Sequence, residues 1–409
     1  MRLLSMLLRT MHHSRPAPFA PATAAELMAA ATHLYVHVPF CNGKCLYCGF
    51  YSVRWEKETA NRWIEALRQE IESTLPGGAA PRTIYMGGGT PSLLDEAQWA
   101  ALCEHIRTLL DLRGLEEWTV EANPGTLSPE KLRLLRGAGV TRLSLGAQSF
   151  DDRTLTFLGR RHSADDIRQT ADMARDNGFD HLSLDLIAGV PGVDGPAWKA
   201  SVQAALALEP DHLSVYALSV EEGSQLKARL EAGQAALPDD EAAEDAITEA
   251  ETALAHAGFA RYEISNYALP GHECRHNLAF WRGGDFLGLG PAAASRCGPH
   301  RWTNAEDLEG YCSALEQGRP PPRRQERLTD AQDTGERFVF AFRLLEGVAV
   351  DDFCRARRVP AAQQRQWEAQ LERWATHGLT ERRAGRWRLT QQGRAVADAL
   401  AAELLPTAG

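Results

Sequence analysis

Residues 33–48 read His-Leu-Tyr-Val-His-Val-Pro-Phe-Cys-Asn-Gly-Lys-Cys-Leu-Tyr-Cys. The first six, His33–Val38, form a short β-like run. Directly after it come Cys41, Cys45 and Cys48, spaced C-x3-C-x2-C. A structural zinc site takes four protein ligands, and no second C-x2-C pair is present to complete one. Three thiolates on a short loop can instead hold three irons of a [4Fe–4S] cluster and leave the fourth iron open. A loop at the C-terminal end of a strand is also where β/α folds place their chemistry. Buried thiols and a zinc loop are the alternative readings.

Working outward, further β-like runs occur at 82–86, 118–121, 142–145, 181–187 and 212–217, with helical stretches between them. In 59–75, Trp63, Ile64, Leu67, Ile71 and Leu75 share one face, and Gly77-Gly78 stops the helix. In 239–257, Asp239 or Asp240 can cap the start, Ala243, Ile247, Ala250 and Leu254 keep the period, and Gly258 follows. Six β/α units in series imply a parallel sheet, because each parallel pair needs a crossover. A partial (βα)6 barrel explains the pattern better than a doubly wound sheet, though spacing alone does not separate the two.

The chain of 409 residues is 44% hydrophobic and 24% charged, which excludes wholesale disorder. Its 44 Lys+Arg against 54 Asp+Glu give −10, so nonspecific nucleic-acid binding is not expected. No run approaches the roughly 18 consecutive apolar residues of a membrane span. A soluble, cytoplasmic protein is expected. Three of the eight cysteines lie within eight residues and the rest are scattered, a distribution that favours a cluster site in a reducing compartment over disulfides. Residues 1–31 hold Arg2, Arg9 and Arg15 but no acid before Glu26. They read as a flexible leader, with a targeting peptide as the alternative.

The alternation defines a barrel over 32–258. From 259 to 317 the pattern changes: RYEISNYAL (261–269) reads as one extra strand, and the glycine-rich 283–294 as a loop that holds something closely. A polar, proline-rich linker, GRPPPRR (318–324), then opens a helix-rich 318–409. There a helix, two short strands around Ala384-Gly385 and a final helix give a winged-helix-like outline. A structural or substrate-covering role is favoured over DNA reading, since the basic residues are offset by acids.

The cysteine loop resembles the radical S-adenosylmethionine (radical SAM) superfamily. YVHVPFC, GGGTPS (Gly87–Ser92) and RLSLGAQSF (142–150) are similar to the oxygen-independent coproporphyrinogen III oxidase family, over about residues 33–400. That resemblance implies a [4Fe–4S] cluster on Cys41, Cys45 and Cys48, with SAM chelated to its open iron. It also implies an electron donor that reduces the cluster so that the sulfonium of SAM is split; the scaffold is able in principle to do so. Carried over by position, Tyr35 and Tyr47 flank cluster and SAM. Gly88, Gly89 and Thr90 meet the methionine end, and Glu121, Gln148, Arg160 and Asp185 contact SAM. Glycines let backbone approach a ligand closely, and polar residues near strand ends converge on one mouth.

Two branches of that family differ after the third cysteine. The decarboxylating oxidases carry a fourth cysteine two positions on, where this chain has Phe50. The motif His276-Asn277-Leu278-Ala279-Phe280-Trp281 resembles one associated with heme in the family's heme-chaperone branch, with Phe280 in place of a tyrosine. A neutral imidazole is a standard axial ligand to heme iron, which makes His276 the candidate; the alternative is that His276 and Asn277 pin the loop to the barrel. The expected function is therefore heme binding and delivery to recipient proteins. The alternative, oxidative decarboxylation of coproporphyrinogen III in porphyrin biosynthesis, is not expected.

Overall fold

In the computed structural model, residues 22–75 and 77–405 are described. Among them nine strands form one sheet: β1 (His33–Val38), β2 (Thr83–Gly88), β3 (Glu117–Ala122), β4 (Arg142–Gln148), β5 (His181–Ala188), β6 (His212–Ala217), β7 (Ala260–Arg261), β8 (Asn266–Ala268) and β9 (Leu287–Leu289). Their order is β9-β1-β2-β3-β4-β5-β6-β8-β7. From β9 to β6 every neighbouring pair is parallel. β8 then pairs antiparallel with β6, and β7 with β8. A doubly wound sheet reverses its strand order at a switch point. Here β1 to β6 run consecutively with no reversal, so the sheet is a partial (βα)6 barrel.

The crossover helices form where the apolar spacing predicts them. Lys57–Thr74 buries Trp63, Ile64, Leu67 and Ile71, and its cap Leu75 already has extended backbone. Asp239 caps Asp240–His256 by accepting from the Ala242 amide. Within these mostly buried strands, Tyr85 of β2, Glu121 of β3, Asp185 of β5 and Tyr216 of β6 are half-buried. Those residues mark the open inner face.

Three expectations change after residue 258. The segment 261–269 is not one strand but the hairpin β7–β8, turned through 262–265. The glycine-rich stretch is not all loop: β9 lies inside it and extends the sheet beside β1, pairing Leu34 with Leu287 and Val36 with Leu289. Gly288 is required there, because a Cβ would stand 2.1 Å from the Ala294 carbonyl oxygen. The linker also ends in structure, as Arg323–Arg327 pairs antiparallel with His300–Asn304. Of the leader expected over 1–31, residues 1–21 lie outside the described residues. Ala24–Ala30 is helical, with Ala30 and Ala31 in the main core, so this part is not flexible leader.

A second core gathers the C-terminal helices, where Phe338 stacks on Trp367 with centroids 4.2 Å apart. The helix Ala361–Thr376, the paired strands Thr380–Arg383 and Arg386–Leu389, and the final helix Ala397–Leu404 follow the winged-helix outline. No described helix is long and apolar enough to cross a membrane.

Candidate functional site

The cysteine loop leaves β1 at Pro39 and is tied at both ends. Phe40–Cys41 pairs with Val53–Arg54, and the Trp55 amide donates to the Cys41 carbonyl at 3.0 Å. Between those ends the Leu46 amide donates to Leu158 and the Leu46 carbonyl accepts from Leu226. Eleven residues that lack a helix or sheet of their own are thereby held over the C-terminal mouth of the barrel. Cys41, Cys45 and Cys48 are partly accessible, whereas Cys103, Cys274, Cys297, Cys312 and Cys354 are buried. Burial pushes the Cys48 thiol up to about 11, and the neighbouring Cys45 and Cys41 add to the rise. Three partly accessible thiols on one loop suit a multi-iron centre, which takes them as thiolates.

Three hydrogen-bonding side chains link two of these sulfurs. Asn123 Nδ2 donates to Thr90 Oγ1 at 2.9 Å, leaving the Thr90 hydroxyl proton for Cys41 Sγ at 3.7 Å. Asn123 Oδ1 accepts from Arg160 Nη2 at 2.6 Å, and Arg160 Nη1 lies 3.5 Å from Cys45 Sγ. Arg160 Nη2 also reaches the Gly146 carbonyl at 2.8 Å. A cation and a hydroxyl donor aimed at sulfur fit an anionic iron–sulfur centre. Asn123, directly after the strand end Glu121-Ala122, is not among the residues expected from sequence. Nothing in its local pattern distinguishes a bridging amide from a turn residue.

Gln148 joins this group through an irregularity. The β4–β5 register shifts between Leu145 and Gln148, and Gln148 has φ 68°. Such a bulge re-aims a side chain. A Cβ on Gly146 would meet Gln148 Nε2 at 2.9 Å and both Arg160 Nη2 and Asn123 Oδ1 at 3.3 Å. Tyr47 sits beside Arg160, its phenol pushed up by burial.

Deeper in the lumen lie Tyr35, Tyr85, Glu121, Asp185 and Tyr216. Glu121 accepts from Tyr85 Oη at 2.8 Å and the Gly88 amide at 3.1 Å. Burial, helped by Asp185, holds its carboxyl up at about 7. Burial likewise lifts Asp185 to about 6, against the hydroxyls of Ser214 and Ser144. Two carboxylates short of donors suit a ligand bearing amino or hydroxyl groups. The Tyr35 hydroxyl is 3.1 Å from His37 Nδ1, and its ring stacks on Tyr85.

The glycines also have a reason inside the protein itself. A Cβ on Gly87 would strike the Glu121 carboxylate at 2.6 Å, one on Gly88 the His37 ring at 2.3 Å, and one on Gly89 the Val38 and Phe40 carbonyl oxygens at 2.6 Å. The space beside all three is filled by the protein itself. Gly89 and Thr90 donate their amides to those carbonyls and so lock the cysteine loop to β2.

His276 lies at the opposite, N-terminal end of the barrel, on the helix Arg275–Trp281. It is 9% exposed, its Nδ1 is 2.9 Å from Thr83 Oγ1, and Glu117 accepts from its amide. Burial drives the imidazole down to about 3, so it is neutral. With Nδ1 committed, Nε2 alone is left to ligate. Phe280 packs on Phe340 at 4.8 Å and Trp281 lies under Arg343 at 4.9 Å, so the motif's aromatics face the C-terminal core rather than an open surface. In this structure the motif joins the barrel to that core.

The single-wound barrel with a three-cysteine loop at its mouth defines a radical SAM protein. The radical SAM superfamily model matches residues 35–203. Over 397 residues the chain is 38% identical to the heme chaperone HemW of Mycobacterium tuberculosis (strain H37Rv), covering 96% of this chain and 99% of that protein. It is 34% identical over 322 residues to the heme chaperone HemW of Bacillus subtilis (strain 168), covering 78% and 85%. The solved coproporphyrinogen III oxidase HemN of Escherichia coli shares the fold at TM-score 0.80 with 23% identity, over 98% of this chain and 99% of that one. The chain belongs to the HemW family of the radical SAM superfamily.

Proposed function

We propose that the protein binds heme and passes it to recipient proteins in the cytoplasm, on a scaffold that holds a [4Fe–4S] cluster at Cys41, Cys45 and Cys48 and SAM in the lumen. The end-to-end likeness to proteins named heme chaperones carries this reading. When bound, cluster and SAM would supply one-electron reductive chemistry, with electrons from an external donor. The chain's own part is positioning. Thr90 and Arg160 donate to the sulfurs, while Tyr47, Gly88, Gly89 and Gln148 line the approach. Glu121 and Asp185 accept from the ligand's amino and hydroxyl groups. His276 Nε2 would be the nitrogen donor to the heme iron. Decarboxylation of coproporphyrinogen III is not part of the proposal: Phe50, 41% exposed beside Cys48, stands where that activity's fourth cysteine is expected.

Anaerobic reconstitution tests the scaffold. Cys45→Ala should fail to assemble the cluster and lose SAM binding, whereas Cys103→Ala, on a buried thiol away from the mouth, should assemble it normally. A Cys45→Ala protein that still takes up the full complement of iron and sulfide contradicts the ligand set.

A further inference from the structure

Three side chains converge at the N-terminal end of the barrel, opposite the cysteine loop. His181 begins β5, Asp211 immediately precedes β6, and His272 lies in the turn ahead of Arg275–Trp281. His181 Nδ1 and His272 Nδ1 lie 2.6 and 2.9 Å from the same oxygen, Asp211 Oδ2. The two ring nitrogens are 3.3 Å apart. For an ion bound at about 2.0 Å with tetrahedral angles, the N···N edge is about 3.3 Å, so the histidines already stand at ligand spacing. The N···O edges are shorter, as they are when a proton lies between the atoms, and would open on ion binding.

The surroundings favour a cation. Asp211 is 5% exposed, and its other oxygen, Oδ1, has no hydrogen bond. Oδ1 faces Arg142 Nη1 at 3.7 Å. The buried Arg142 also donates from Nη2 to the His272 carbonyl at 2.9 Å and lies 3.3 Å from Glu117 through Nε. One guanidinium thus orients both the carboxylate and the backbone of one histidine, the kind of outer support that metal ligands receive. Asp211 and Glu117 against Arg142 leave one net negative charge. The His181 and His272 side chains are 43% and 36% exposed, and His181 lines a cleft of about 250 Å³ together with Arg136, Asp180, Glu273 and Arg275. Solvent from the cleft has room to complete the coordination.

We propose that His181, Asp211 and His272 bind a divalent transition-metal ion of the zinc class. Two imidazoles and a carboxylate are donors that suit zinc, cobalt or nickel. The ion would clamp the turn carrying His272 to β5 and β6, four residues ahead of His276.

The test uses the full chain with its cluster reconstituted, so that the mouth cysteines are occupied. After chelator treatment, zinc chloride is titrated while bound zinc and iron are both counted. The wild type should take up zinc without losing iron. His181→Ala and His272→Ala should each weaken that uptake by at least about 100-fold, the upper end of what losing even an outer-shell partner costs. Zinc-edge X-ray absorption on the wild type, which depends on no variant, should show nitrogen and oxygen donors. No zinc uptake by the wild type, unchanged affinity in both variants, or a sulfur-dominated shell overturns the proposal.

Discussion

Thr90 has one proton to give, and the Asn123 amide directs where it goes. Because Thr90 Oγ1 accepts from Asn123, its own donor is left for Cys41 Sγ. A hydrogen bond to a ligating sulfur stabilises the more negative, reduced cluster. Thr90→Val, which keeps the shape and removes the donor, should therefore lower the midpoint potential of the reconstituted protein in an electron-paramagnetic-resonance redox titration. An unchanged or raised potential would show that the hydroxyl does not act on the cluster. Glu121 gives a second residue-scale expectation. Its carboxyl is held at about 7 by burial, so folding favours its protonated form and the apo protein loses that advantage as pH rises through about 7. A ligand offering donors binds the ionised form better. SAM should then bind more tightly as pH is raised through about 7, and Glu121→Gln should flatten that part of the profile; equal slopes in both proteins would remove Glu121 from the pocket.

At the scale of elements, the glycine turn after β2 is a lock between backbones. Gly89→Ala should cost about 1–3 kcal/mol by overpacking, since its Cβ would meet two carbonyl oxygens that belong to the cysteine loop's base. Gly114→Ala, with open space beside it, should leave Tm nearly unchanged in the same calorimetric comparison. Equal Tm in the two variants would show that the loop yields freely at Gly89. The elements differed in how far the sequence disclosed them. β1 to β6 were legible because parallel strands buried on both faces read as apolar runs between amphipathic helices. β9 was not: three residues, Leu-Gly-Leu, are too few for a period, and only the register against β1 makes them a strand. The β7–β8 hairpin hid in a run with no glycine or proline, where Arg261 closes the turn by donating to the Ile264 carbonyl. In the site, the cysteines were legible from spacing. The Thr90–Asn123–Arg160 chain was not, because its two links span 33 and 37 positions between residues that share only a fold.

For the whole molecule, chemistry and coupling sit at opposite ends of the barrel. The mouth gathers the thiols and the lumen carboxylates, while the floor holds Glu117, His276 and the joint to the C-terminal core. Glu117 accepts from the amides of both Arg275 and His276. The helix that bears the heme-associated motif is thus anchored to β3, the strand that also carries Glu121. Heme binding on this account needs an intact protein but neither SAM nor reductant, whereas porphyrinogen decarboxylation needs both. Heme binding is read out by an anaerobic absorption titration of the reconstituted protein with heme, in the absence of SAM and reductant. The wild type should give a saturable heme spectrum, altered in His276→Ala, with the iron–sulfur absorbance retained. Absence of saturable heme binding in that titration would contradict the proposed function.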